Sequence, residues 1–163
     1  MMTLTDKDYN TTTVVDMAGE SLSLIEFFGD NAKHGSVEFS EDGDRADVII
    51  VEDLEWHQKR DPELMEKLTD EEGWLTEGTR EIIARNLSKI VGGSVEIELS
   101  EMDAHPDSPS VAFVASYHVN PETTLGTLHE MSYGFYADVI NVTDPGTFDS
   151  PYVFGTLANP SYS

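Results

Sequence analysis

The fold is decided by residues 76–119, TEGTREIIARNLSKIVGGSVEIELSEMDAHPDSPSVAFVASYHV. Apolar residues recur every three to four positions after Thr76, a residue type that caps helix N-termini, and the glycine pair at 92–93 supplies the left-handed turn that ends many helices. Apolar and acidic residues then alternate with the period of a half-buried strand, and a nearly continuous apolar run follows a proline-marked loop. The stretch predicts a main helix at about 77–91 and a hairpin at about 94–119.

Weaker patterns mark the rest of the chain, with glycine, proline and aspartate at the turns. A second hairpin is predicted at about 36–52. The other predicted elements are a strand at 11–15, a two-turn helix or a strand at 21–28, a short helix that starts at Asp61 and Pro62, a third helix with Leu125, Leu128 and Met131 on one face, and a strand at 135–142. Strict alternation of strands and helices is absent, so we predict an α+β fold: a mainly antiparallel sheet of two hairpins packed against three or four helices.

The length of 163 residues fits one domain with a single core. Residues 1–10 are polar and are interpreted as an N-terminal arm, and residues 11–149 as the α+β domain. Residues 150–163 combine aromatic residues with proline, glycine and asparagine, and are interpreted as a C-terminal aromatic arm.

Charge is the strongest global signal. The chain has 32 acidic and 9 basic residues, a net charge of −23, and no Lys or Arg follows Lys89. Such self-repulsion destabilises a compact state at low ionic strength, whereas molar salt screens it within about 3 Å. Because the acids are spread over every segment, we interpret the composition as adaptation to a high-salt setting.

Composition also excludes several classes of protein. Clustered Lys and Arg are needed to bind phosphates, so direct nucleic-acid binding is not expected. The chain has no Cys, no apolar run long enough to span a bilayer, and no basic and apolar start typical of a signal peptide. We expect a virion or cytoplasmic location, no membrane partner and no cofactor.

Motifs for catalysis are equally scarce: the sequence contains no Gly-x-Ser-x-Gly elbow, no phosphate-binding glycine loop and no helical pair of zinc-binding histidines. The turn with Asp42, Asp44 and Asp47 has enough oxygen ligands for a hard cation such as calcium, but a solvated hairpin turn is the favoured interpretation. His118 would meet His129 or Glu130 in an acid–base or metal cluster if the third helix folded back on the strand, but a histidine at the edge of the core with one hydrogen bond is the favoured interpretation. We therefore expect no enzyme, with a metal-dependent enzyme as the third hypothesis.

Two features suggest contacts with other macromolecules. Glu96 and Glu98 lie on one face of a predicted strand, about 6.8 Å apart, which is close to the spacing of successive phosphates. An acidic DNA mimic that inhibits a nucleic-acid-binding defence enzyme is therefore the alternative hypothesis. The null interpretation is the solvated face of a hairpin.

Aromatic residues are concentrated near the C-terminus, and aromatic side chains are enriched in the cores of protein–protein interfaces. The predicted interface residues are Tyr133, Phe135, Tyr136, Phe148, Tyr152, Phe154 and Tyr162. A core completed by a C-terminal strand is the competing interpretation. Our leading hypothesis is a non-enzymatic structural or interaction protein from a high-salt source, most concretely a neck, tail or capsid-associated virion subunit. It would form homo-oligomers or pack against other subunits through its terminal arms.

Overall fold

The computed structural model describes residues 5–29, 32, 34–60, 62–91, 94–102 and 105–143 of the chain. The elements in chain order are α1 (Asp6–Thr11), a 3₁₀ turn (Val14–Met17), β1 (Ser21–Ser23), α2 (Leu24–Phe28), β2 (Gly35–Phe39), β3 (Arg45–Asp53), α3 (Leu54–Arg60), α4 (Pro62–Leu68), α5 (Glu77–Val91), β4 (Ser94–Met102), β5 (His105–His118) and α6 (Leu125–Thr143). They form an antiparallel five-stranded sheet with several helices. The predicted α+β fold is confirmed.

The central stretch forms as its pattern predicts. The main helix is α5, and the Thr76 hydroxyl caps it by accepting a hydrogen bond from the backbone N–H of Thr79 at 3.2 Å. β4 and β5 follow as an antiparallel hairpin in which Val95 pairs with Ala115. The glycine pair at 92–93 lies outside the described residues.

The strand order is β1-β2-β3-β5-β4, so the long strands β3 and β5 lie at the centre and β4 forms one edge. The predicted hairpin at 36–52 corresponds to β2 and β3, paired at Val37 and Val48. Along β3 every second residue is buried, as expected when one face of a pleated strand packs against a core.

The core lies between that buried face and the helices. Its largest fully buried side chains are Phe113, Phe135, Leu24, Ile50, Leu68, Ile83, Leu87, Leu125, Leu128, Val14, Val37 and Val48. α5 packs beside α6, and α6 in turn contacts α1 and α2. α6 buries side chains in this core along its length. Because it also contacts α1 and α2, it holds these N-terminal helices against the sheet.

The strand predicted at 135–142 is wrong, because α6 continues through these residues as one helix of 19 residues. The β-branched and aromatic residues of 135–142 favour a strand locally, but tertiary burial overrides that weak preference. Leu128, Phe135 and Val139 are fully buried at helical spacing, whereas Met131, placed on the apolar face by the sequence, is 43 % exposed.

α6 begins at Leu125, later than indicated by Asn120 and Pro121, a cap-then-proline pair typical of a helix start. The Asn120 side chain accepts a hydrogen bond from the N–H of Glu122 at 2.9 Å and so closes a turn. The helix cap is Thr124, whose hydroxyl accepts from the N–H of Thr127 at 3.2 Å.

The N-terminal predictions are corrected as well. Residues 11–15 form no strand: Thr13 makes one isolated bridge with Thr124, and the 3₁₀ turn follows it. Residues 6–10 of the interpreted N-terminal arm lie in α1, which packs against α6. The Thr5 and Asp8 side chains form a reciprocal capping box at its start, which makes a polar sequence helical.

The segment at 21–28 contains both predicted alternatives, first β1 and then α2. α2 begins because the Ser23 hydroxyl accepts a hydrogen bond from the N–H of Glu26 at 3.2 Å. The helix predicted from Pro62 is α4, while α3 was not predicted. Its one local signal is Asp53, whose carboxylate accepts from the N–H of Glu55 at 2.9 Å.

Candidate interaction surface

An aromatic cluster forms where α1, α2 and α6 meet, and Phe28 lies at its centre. The ring of Phe28 stacks on Tyr136 with centroids 4.5 Å apart, on Phe27 at 5.0 Å, and lies 5.2 Å from His129. Tyr133 meets the same ring edge-on at 6.0 Å. These separations lie within or near the range of favourable aromatic pairs, so α2 is held to α6 mainly through rings.

α1 completes the cluster from the other side. The Tyr9 ring stacks 6.0 Å from Phe27 and meets His129 edge-on at 6.1 Å. Its hydroxyl donates a hydrogen bond to the backbone carbonyl of Glu26 at 2.7 Å. Tyr9 therefore fixes α1 to α2 with both its apolar and its polar part.

The outer part of this cluster is exposed to solvent. Tyr133 is 54 % exposed, and Ile25, one helical turn before Phe28 on α2, is 53 % exposed. Phe28 and His129 are half-buried between them. We call Ile25, Phe28, His129 and Tyr133 the aromatic surface; a group of exposed and half-buried apolar side chains of this kind is typical of an interaction site.

Carboxylates are sparse at this surface compared with the rest of the chain. α2 carries Glu26 as its one charged residue, and no charged residue occurs in α6 between Glu130 and Asp138. Burial raises the pKa of the Asp138 carboxyl above its ordinary value. The low local charge suits a surface that becomes desolvated on binding, because each desolvated carboxylate would oppose binding.

The predicted interface residues divide into three groups in the structure. Tyr133 lies on the aromatic surface. Tyr136 is 8 % exposed beneath Phe28, and Phe135 is fully buried in the core of the chain. The remaining four, Phe148, Tyr152, Phe154 and Tyr162, lie outside the described residues.

Ile25, Phe28 and His129 were not predicted as surface residues. Phe28 and His129 are about 100 residues apart along the chain, so no local pattern reveals the contact between α2 and α6. The adjacent rings of Phe27 and Phe28 were the available signal, since a five-residue helix buries one of them and leaves the next half-exposed.

The acidic turn between β2 and β3 is organised by hydrogen bonds within the protein. The Ser40 hydroxyl donates to the Asp44 carboxylate at 3.0 Å, and Asp47 lies 3.5 Å from the Arg45 guanidinium. Asp42 is exposed. These contacts are typical of a hairpin connection between two strands.

His118 and His129 occupy different environments. His118 ends β5 opposite Arg45 and is exposed, whereas the His129 ring lies among the aromatic residues of α1, α2 and α6. Within the described ranges no group of three or more His, Asp or Glu side chains could hold a metal ion.

A buried acid–imidazole pair lies at the end of β3. Glu52 is 4 % exposed and His57 is 3 % exposed, and the carboxylate Oε2 lies 3.5 Å from the imidazole Nε2. The Trp56 ring meets His57 edge-on at 4.7 Å. Apolar side chains of α4, α5 and β5 face His57 on the other side. The pair is enclosed, so it contributes to the core and not to the aromatic surface.

Two buried hydroxyls lie between β5 and α6. Burial raises the pKa of the Tyr117 phenol to about 12, and the nearby Ser132 hydroxyl acts in the opposite direction. Neither hydroxyl has a hydrogen-bond partner of good geometry among the described residues. Within the part of the chain that the structure describes, they fill space in the core and form no polar network.

Comparison with known proteins adds no relative: no protein-family model matches the chain, and neither a curated protein nor a solved structure gives a significant match. Of the helices in the described ranges, none has the length and apolar character needed to cross a bilayer.

Proposed function

We propose that the protein is a non-enzymatic structural subunit that binds other subunits through the aromatic surface in a high-salt setting. The observation that carries this proposal is the exposure of Tyr133 at 54 % and Ile25 at 53 % beside the stacked rings of Phe28 and Tyr136. Burying large aromatic side chains provides much of the energy of protein–protein interfaces, and such anchors are most effective on a preorganised support.

A high-salt setting makes this contact compatible with the charge of the chain. At a net charge of −23, two copies repel each other strongly in dilute buffer. Molar salt shortens the Debye length to about 3 Å, while hydrophobic contact persists. Apolar association is therefore favoured under the conditions to which the surface is adapted.

The most concrete form of the proposal is a virion component, such as a neck, tail or capsid-associated subunit of a virus that infects a halophile. An acidic exterior with an apolar contact surface suits a particle that is assembled and kept in brine. Its partners would be further copies of the chain or other subunits of the particle.

Sedimentation velocity in molar KCl and in dilute buffer tests this function. We expect salt-promoted oligomers of the wild type, and a shift towards monomer for Tyr133→Ser. Trp56→Ser is the matched control, because Trp56 is a 44 % exposed aromatic residue on α3, outside the aromatic surface. A strictly monomeric wild type that joins no larger particle in molar salt would refute the proposal.

A second candidate function rests on the edge strand β4. Its register pairs Glu96 with Val114 and Glu98 with Ala112, and Glu96 is exposed at this edge strand. We propose as the alternative that these carboxylates mimic DNA phosphates and block a basic nucleic-acid-binding enzyme. Such a protein would compete with DNA for a basic nuclease at low salt and lose affinity steeply as salt rises. Absence of competition at low salt would exclude it.

A further inference from the structure

The structure also points to an occupant for the aromatic surface: we propose that it binds residues 150–163 from a neighbouring copy of the chain. This inference rests on the proposed function as an assembly subunit and assigns its contact partner. The segment reads SPYVFGTLANPSYS and contains no charged residue. Its apolar residues are Tyr152, Val153, Phe154, Leu157 and Tyr162, together with alanine and proline.

The absence of charged residues favours this segment over other parts of a neighbouring copy. Because no Lys or Arg follows Lys89 and the whole chain carries −23, an approaching copy presents mostly carboxylates. Carboxylates would be desolvated and repelled at the aromatic surface, where Glu26 and Glu130 lie nearby. An uncharged segment avoids both costs, and its aromatic rings match the exposed rings of Phe28 and Tyr133.

The length of chain after α6 allows residues 150–163 to reach a neighbouring copy as well as the aromatic surface of their own chain, and the labelled cross-linking below separates the two. Tyr133 precedes Thr143, the last residue of α6, by ten residues, or about 15 Å along the helix. Tyr152 and Tyr162 follow Thr143 by nine and nineteen residues, which span at most about 32 and 68 Å when extended. A folded chain of this length has a radius of gyration of about 15 Å, so these residues can reach across to an adjacent copy.

Cross-linking in the full-length protein tests the contact directly. A photo-activated benzophenone side chain replaces Tyr133, and the protein is prepared in two forms, one with natural nitrogen and one fully labelled with ¹⁵N. The two forms are mixed in molar KCl, dissociated in dilute buffer, and reassociated before irradiation. We expect cross-links from position 133 to peptides of 150–163, about half of them joining one labelled and one unlabelled chain. The same group at position 56 should give no such peptides.

Deletion of residues 150–163 provides the second measurement. α6 ends before the deletion, so the helix and the aromatic surface are retained. We expect the association constant in molar KCl to fall by about 30-fold or more, as for loss of a strong interface anchor. The double variant Tyr152→Ser with Phe154→Ser should have a similar effect, and an excess of synthetic 150–163 peptide should dissociate wild-type oligomers.

The outcomes separate this inference from the proposed function. Oligomers that persist unchanged after the deletion, or cross-links found exclusively within single chains, would overturn the inference while leaving the structural role intact. A wild type that remains monomeric in molar salt would overturn both.

Discussion

Replacing His57 with leucine is predicted to destabilise the protein far more than replacing its partner Glu52. The two side chains are 3 % and 4 % exposed and approach to 3.5 Å. In His57→Leu the Glu52 carboxylate faces an apolar group inside the core. In Glu52→Leu the imidazole remains in contact with the Trp56 ring.

The separation of the two side chains determines the expected change in the free energy of unfolding. In the charged form, a pair separated by 3.5 Å is attracted by about 5 kcal/mol at an effective dielectric constant of 20. Removing one partner of a buried ion pair typically costs about 3–5 kcal/mol, because the remaining charge is less well compensated. We therefore expect the free energy of unfolding to fall by about 3 kcal/mol in His57→Leu, and by about 1 kcal/mol in Glu52→Leu. Replacing both residues should be close to neutral, because no buried charge remains.

Urea unfolding followed by circular dichroism in molar KCl measures these differences, since urea leaves the ionic strength unchanged. The matched control is Lys59→Gln, also on α3. Lys59 lies 3.1 Å from Glu55, but the two side chains are 77 % and 44 % exposed. Loss of this surface pair should change the free energy of unfolding by less than about 0.5 kcal/mol.

The double-mutant cycle provides the decisive comparison. We expect a coupling energy of about 3 kcal/mol or more between positions 52 and 57. Additive effects of the two leucine substitutions, or equal and small effects of each, would show that the carboxylate and imidazole do not act as a pair.

Three further predictions concern other buried or constrained positions, each measured by urea unfolding. Tyr117→Phe should change the unfolding free energy by less than about 0.5 kcal/mol or raise it, whereas loss of a well-formed hydrogen bond would cost about 1 kcal/mol. Asp138→Asn should raise stability at pH 7, because burial raises the pKa of this carboxyl and thus opposes its charged form; the gain should vanish below about pH 3.8, where the unfolded chain is also protonated. An equal gain at all pH values would contradict that cause. Gly43→Ala should cost about 1–2 kcal/mol, because φ is +72° and a Cβ would lie 2.8 Å from Val15 Cγ2, while Gly19→Ala, with φ +76° and open space, should cost less.

Local sequence patterns predicted the helices and strands correctly where they agreed with the tertiary environment. The helix α5 and the hairpins β2–β3 and β4–β5 were predictable because a cap, a period and a turn signal coincide within a few residues. The acidic composition likewise follows from the sequence alone, and with it the expectation of a high-salt setting.

Prediction failed where local preference and burial disagree. Residues 135–142 favour a strand by composition, yet they continue α6 because Phe135 and Val139 are buried against the rest of the core at helical spacing. Of the predicted interface residues, Tyr133 could be named from its aromatic character, but its exposure could not.

The sequence by itself determined the α+β class, the central helix and hairpins, and an acidic chain without a catalytic motif, since each depends on composition or on neighbours within a few residues. The tertiary structure alone decided which aromatic residues are core and which are surface. Phe135 and Tyr133 are two residues apart on α6, so they point to different sides of the helix. Because contact with Phe28, more than 100 residues earlier, defines the aromatic surface, no local pattern could reveal it.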